Sequence, residues 1–205
     1  MCGIAGEINL KQGVSFSSYH QNMLDSLARR GPDDHGVYRT EEVVLLHRRL
    51  AVIDPENGKQ PMLAKVFGKE YAICYNGELY NTEALRNELI SLGETFFTHT
   101  DTEVVLRAFI RFGADCVKRF NGIYAFVVFD RAEQRLFLAR DKMGVKPFFY
   151  AERNGGFIFG SELKTLLCHP AVRPEIDEIG IGELLFIGPG RTPGCGVFRD
   201  VFEIK

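Results

Sequence analysis

A chain of 205 residues with 45% hydrophobic side chains, 17 phenylalanines and a formal charge of -2 is sized for one substantial domain with an aromatic-rich core. That charge supplies no basic field, which argues against nucleic acid as the main partner. No stretch reaches the roughly 18 uninterrupted apolar residues of a membrane helix, and Met1-Cys2-Gly3-Ile4-Ala5-Gly6 lacks the basic and apolar regions of a secretory leader.

The first strand is predicted over residues 3 to 10. A helix capped near Ser15 or Ser17 follows, because Tyr19, Met23 and Leu27 recur at helical spacing. Arg29-Arg30-Gly31-Pro32-Asp33-Asp34-His35-Gly36 reads as a loop, since Gly-Pro stops a helix. Strands fit Val43 to Ile53 and Tyr71 to Tyr75, and Asn76-Gly77 then signals a tight turn. Two helices come next. One starts at Asn81 or Thr82 and stops at Gly93, and the other opens with the capping pair Thr100 and Glu103 and ends before Gly113. From Gly122 four short strands suggest a meander, split by RAEQR, MGV and RNGG, and a short helix begins at Ser161. After Pro170 the apolar pattern weakens, so residues 171–205 read as a linker or domain edge. Helices between groups of strands predict stacked antiparallel sheets covered by helices, an α+β class.

Five cysteines (Cys2, Cys74, Cys116, Cys168, Cys195) form an odd set without a C-x-x-C pair, and the five histidines show no ligand spacing. This argues against a disulfide framework and a structural metal, and makes a cytoplasmic setting the expectation.

Four elements carry chemistry. Cys2 becomes the first residue if Met1 is removed, and then owns a thiol and a free α-amine together. Their reference pKa values, about 8.5 and about 8, let the amine take the thiol proton near neutral pH. Asn76-Gly77 pairs a carboxamide donor with an unhindered backbone N–H, the parts of an oxyanion hole, although the pair alone is usually a turn. Arg48 and Arg49 lie on a strand and face opposite sides, so one is free to hold a carboxylate. Asp101 follows Thr100 at a helix start, where it stabilises the helix end or binds an ammonium.

Together these blocks resemble the class II, N-terminal nucleophile glutamine amidotransferases, and most closely the glutaminase domain of asparagine synthetases. The matching residues are Cys2-Gly3-Ile4, Arg30-Gly31-Pro32-Asp33, Arg49-Leu50 with Ile53-Asp54, and Asn76-Gly77-Glu78-Leu79-Tyr80-Asn81. Thr100-Asp101 with Glu103, Arg140-Asp141 with Gly144 and Pro147, and Ser161-Glu162 with Lys164 complete the set. The resemblance implies a four-layer αββα sandwich of two antiparallel sheets, the N-terminal nucleophile hydrolase fold, over residues 1–170. It implies that Cys2 attacks the amide carbon of L-glutamine to form a thioester, with Asn76 and Gly77 stabilising the oxyanions. Arg49 is expected to clamp the α-carboxylate, with Leu50, Ala51, Val52 and Ile53 about it, and Glu78 and Asp101 to pair with the α-ammonium. The loop bearing Arg30 is expected to support Cys2.

The Ser-Gly-Gly-x-Asp-Ser loop of the family's synthetase domain does not occur here. The chain is therefore expected to be a truncated piece whose ATP-dependent synthetase domain lies elsewhere. No cofactor is expected in this chain, and ATP and Mg belong to the absent domain. A homodimer is one assembly open to it. Two rival readings stand beside this one: a non-catalytic interaction module of the same fold, and a glutaminase serving a carboxylate other than aspartate. A nucleophile at Gly194-Cys195-Gly196 is disfavoured, because an elbow needs a strand before and a helix after. Arg140 to Pro147 reads as a turn between strands rather than a phosphate loop.

Overall fold

The computed structural model of the protein describes residues 1–187 and 192–205. Its elements are β1 (Gly3–Ile8), α1 (Ser18–Ser26), β2 (Asp34–Arg39), β3 (Val43–Arg49), β4 (Met62–Val66), β5 (Lys69–Leu79), α2 (Thr82–Ser91), α3 (Asp101–Phe112), β6 (Gly122–Asp130), β7 (Arg135–Arg140), β8 (Phe149–Arg153), β9 (Gly156–Gly160), α4 (Leu163–Leu166), α5 (Glu178–Gly182) and β10 (Phe202–Glu203). Strands join in the order β10-β8-β9-β1-β3-β2 in one sheet and β4-β5-β6-β7 in the other, and the pairings are antiparallel.

Side-chain alternation along the strands sorts the apolar residues into three layers. Ile4, Ile8, Val43 and Leu45 of one sheet meet Ala72, Cys74, Ala125 and Val127 of the other in the middle layer. The opposite faces of β1 and β3 (Ala5, Val44, Leu46) pack on Met23, Leu24 and Leu27 and on Leu166. The opposite faces of β5 and β6 (Ile73, Tyr75, Phe126) pack on Leu85 and Leu89 of α2 and Val105 and Ala108 of α3. The result is the predicted αββα sandwich.

Several local expectations are corrected. The expected turn at Asn76-Gly77 is continuous strand, because β5 stays paired with β6 through Leu79 opposite Gly122. The predicted strand from Val43 stops at Arg49, and the residues after it fold into a loop held by the Arg49 guanidinium. The last four strands are no single meander. β7 closes one sheet and β8 opens in the other, since the turn between them crosses the sandwich. β2 begins inside the segment read as a loop, and β4 was not foreseen. Ser161 does not cap α4; its Oγ accepts from the Ile4 N–H at 2.9 Å. Within 171–205, β10 adds to β8 and Val172, Val197 and Val201 are buried. Residues 188–191 of the predicted linker lie outside the described residues.

One buried cluster fixes the strand that carries Cys2. Glu7 Oε2 accepts from Nε2 of His20 at 3.1 Å and of His169 at 3.2 Å, and from the Tyr19 hydroxyl at 3.1 Å. Each imidazole's Nδ1 accepts a backbone N–H, from Ser17 and Ala171, so each Nε2 carries its proton. Burial pushes the Glu7 carboxyl up, but the hydrogen bonds from His169 and His20 outweigh it and set its pKa to about 2. A folded pKa below the unfolded one means stability present above the ordinary carboxylate range and lost as pH falls towards 2. Glu7→Gln keeps one oxygen for the two rings but removes the negative charge that strengthens their hydrogen bonds, a change worth about 1–3 kcal/mol. Thermal melts at pH 7 should show a Tm lower by roughly 3–8 °C. The gap between variant and wild type should narrow as pH drops from 4.5 to 2.

Candidate active site

The same alternation brings the chemistry to one rim. Ile4 and Ile8 point into the middle layer, and Cys2 has their parity just ahead of β1. On β5, Ala72 and Cys74 point inward, and so therefore does Asn76. On β3, Val43 and Leu45 point inward, which sends His47 and Arg49 the same way and Arg48 outward to Asp25 of α1. A cavity of about 280 Å³ opens there. Cys2, Arg49, Leu50, Val52, Ile53, Asn76, Gly77, Glu78 and Asp101 all line it. Ala51 does not; its N–H donates to Asp33 Oδ2 at 2.8 Å.

Cys2 is seated by its neighbours. The Leu50 N–H donates to Sγ at 3.4 Å, and Arg30 Nε donates to the Cys2 carbonyl at 2.9 Å while pairing with Glu162 at 3.2 Å. Arg30 thus takes the supporting place that the resemblance implies. Burial pushes the thiol pKa up, opposed by the Leu50 N–H, the terminal ammonium and Arg49, with Asp101 adding to the rise. The sulfur is therefore a neutral thiol at neutral pH and needs a base to become a nucleophile. Met1 heads the chain, 58% exposed at the cavity. With Met1 attached, the Cys2 nitrogen is an amide and no base.

The donors opposite the sulfur follow from strand geometry. β4 ends opposite Ile73, so the β5 edge beyond it has no strand partner. Backbone groups on that edge belong to alternate residues. The Tyr75 N–H donates to Gln60 Oε1 at 2.6 Å and the Leu79 N–H points to Asp101 Oδ2 at 3.4 Å. The N–H of Gly77, between them, shares their direction and faces the cavity. A Cβ at Gly77 would come within 2.6 Å of the Ile123 carbonyl and 2.7 Å of the Tyr75 hydroxyl, so this close approach admits only glycine. The Asn76 side-chain Nδ2 is buried without a hydrogen-bond partner. Asn76 and Gly77 thus stand together in the cavity wall that Cys2 also lines.

A family model for the glutamine amidotransferase domain matches residues 1–205. The chain belongs to that family. It is 47% identical over 206 residues to asparagine synthetase [glutamine-hydrolyzing] 3 of Bacillus subtilis, covering all of this chain and 34% of that protein. It is 34% identical over 171 residues to asparagine synthetase [glutamine-hydrolyzing] 3 of Arabidopsis thaliana, covering 81% of this chain and 28% of that protein. The chain thus spans about a third of the length of these relatives. The solved glutamine phosphoribosylpyrophosphate amidotransferase of B. subtilis, bound to ADP and GMP, shares the fold with a TM-score of 0.68 at 21% identity, over 82% of this chain and 43% of that one.

In this amidotransferase domain the recognition end differs in detail from the expected roles. Arg49 donates to the carbonyls of Pro55, Asp54 and Ile53 at 2.7, 2.8 and 3.2 Å, so it holds its own loop as well as lining the cavity. Asp101 is buried, accepts from the Tyr75 hydroxyl at 3.0 Å, and has no cationic partner among the described residues. Burial pushes its pKa up, which an incoming ammonium would reverse. Glu78 is exposed at the cavity edge. Sequence reading missed Gln60, which bridges Tyr75 and Thr102, and the buried His47, whose Nε2 meets the Tyr75 carbonyl at 3.1 Å. Neither has a local signature, since strand pairing places His47 and side-chain bonds to the edge of β5 place Gln60. Lys146 also lines the cavity, although the sequence suggested only a turn there. Cys195, the rejected nucleophile, is absent from the cavity lining.

Proposed function

We propose that this domain hydrolyses L-glutamine to glutamate and ammonia through Cys2 once Met1 is removed. The observation that carries this reading is one cavity lined by Cys2, Asn76 and Gly77, with the Asn76 Nδ2 left without a hydrogen-bond partner. A buried donor left unpaired costs stability, and such groups persist where a ligand satisfies them. The amide oxygen of glutamine becomes an oxyanion on attack, an acceptor suited to the Asn76 carboxamide and the Gly77 N–H. The freed α-amine of Cys2 takes the thiol proton and gives it to the departing nitrogen. Water then releases glutamate from the thioester by the same route. Asp101 and Glu78 suit the α-ammonium, and the free N–H groups of Arg49 the α-carboxylate. Nucleophile and base share one residue, so the step calls on no cofactor.

The ammonia is destined for ATP-dependent amidation of aspartate by a synthetase domain, where ATP and Mg would bind. The exposed apolar residues Ile179, Ile181, Leu184, Leu185 and Phe186 suit a surface covered by such a domain. Among the described residues no helix is long and apolar enough to cross a membrane, and the free cysteines fit a cytoplasmic setting.

The test is glutamate and ammonia release from glutamine by Met1-free protein, with the acyl-enzyme trapped by hydroxylamine as the γ-glutamyl hydroxamate. Protein verified by intact mass to begin at Cys2 should be active, and protein retaining Met1 should not. Equal release by both forms overturns the amine's role, and release by neither overturns the function.

A further inference from the structure

Among the described residues that line this cavity, Lys146 is the one charged side chain to which the proposed mechanism gives no task. It ends the turn that leaves β7, and that turn is braced on both sides. Asp141 Oδ2 accepts from the Lys146 N–H at 3.0 Å and from the Tyr124 N–H at 3.3 Å, and Asp141 Oδ1 accepts from the Val145 N–H at 2.9 Å. Arg140 Nε donates to the Lys146 carbonyl at 2.7 Å. Tyr124 lies opposite Gly77 in the strand pair, so the turn is tied to the strand that bears the oxyanion donors.

Lys146 lines the cavity while only 8% exposed. Among the described residues no hydrogen bond or ion pair engages its ammonium. Yet this nitrogen is not among the buried atoms shut off from solvent without a partner. It thus keeps some solvent contact, in a side chain whose residue lines the cavity. Burying a lysine without a counter-ion is costly, and such groups concentrate where a charge is used.

The charges about the site define that use. Asp101 and Glu78 are negative, Arg49 and Lys146 positive, and the four cancel. Tyr75, its pKa pushed well up by burial, and His47, its pKa lowered to about 4 by burial, are neutral near pH 7. Asp141 is spent on backbone N–H groups, and Arg30 stands behind Cys2 paired with Glu162. Take Lys146 away and the site gains one net negative charge, which favours protonated amines.

We propose that Lys146 is a positioning residue for glutamine hydrolysis: its ammonium opposes protonation of the α-amine of mature Cys2 at the shared cavity and so keeps that amine as the free base. This rests on the glutaminase reading above. The free amine takes the thiol proton as sulfur bonds to the side-chain amide carbon, Cδ, of glutamine. It returns that proton to the amide nitrogen as the carbon–nitrogen bond breaks. Neutral ammonia leaves, the γ-glutamyl thioester stays, and the amine is a free base again. Beside Lys146 the proton is passed on rather than kept.

The experiment is the pH profile of kcat/KM for glutamine in Met1-free wild type, Lys146→Met, Lys146→Gln and Lys146→Arg. Both neutral variants should carry the acid limb to higher pH by about one unit, about a tenfold loss on that limb, and Lys146→Arg should hold it in place. Two neutral variants guard against one that does not fold. An unmoved limb in a folded neutral variant overturns the proposal, whatever the plateau rate does. The pH dependence of Cys2 alkylation by iodoacetamide reads the same balance without turnover, and its midpoint should also rise in the neutral variants. Wild type that alkylates normally but hydrolyses no glutamine sinks the glutaminase reading alone. In that event an unmoved alkylation midpoint sinks the Lys146 proposal too, and a raised one upholds its electrostatic core.

Discussion

Cys2→Ala in Met1-free protein should lower kcat for glutamine hydrolysis by on the order of 10⁴ or more, with no acyl-enzyme to trap. The substitution removes the atom proposed to form the thioester, and among the described residues no other cysteine lines the cavity. Cys74 is fully buried with its pKa pushed far up by burial, and Cys116 is pushed up to about 12. Neither reaches the cavity, and neither offers a thiolate at neutral pH. Glutamine binding should survive, since Arg49, Asp101 and Glu78 are untouched. The informative measurement is therefore single-turnover rate beside equilibrium binding of glutamine. A variant that still forms glutamate at more than a small fraction of the wild-type rate would place the nucleophile elsewhere.

Asn76→Ala should cost about 10² to 10³ in kcat with KM little changed, the signature of a donor used chiefly in the transition state. Its effect on stability should run the other way. Asn76 is 2% exposed and its Nδ2 has no partner, so the folded protein carries an unsatisfied donor that alanine lacks. The melting temperature should hold or rise while activity falls. A purely structural asparagine predicts the reverse, a lower Tm with modest loss of rate. Measuring both on one preparation separates the two.

Much of this was legible in the residues. Helix caps at Ser17 and Thr100, and strands at Gly122 and Arg135, announce themselves through local pattern and lie where that pattern puts them. The candidate site was legible through resemblance more than through spacing, because its residues meet only across sheets. Asn76-Gly77 shows why local reading fails. The dipeptide suits a turn, but here glycine is required by the carbonyl of Ile123 crowding the strand from beside it. Arg49 is similar: its place on the inner face followed from alternation, while its bonds to the 53–55 carbonyls depend on a loop path that no periodicity encodes. Gln60 and Lys146 were invisible for the same reason. Gln60 is placed by side-chain bonds to Tyr75 and Thr102, and Lys146 by a turn that Asp141 and Arg140 brace.

Cys2 hangs from one sheet and Asn76 from the sheet facing it, so no single element sets the gap between sulfur and carboxamide. The gauge is the thickness of the middle layer, fixed by side chains such as Phe148 and Phe159 that never see glutamine. Trimming one of these rings would let the two sheets settle closer or shear, and the reacting atoms would drift out of register with the strands themselves intact. Turnover in this domain is in that sense a readout of core volume.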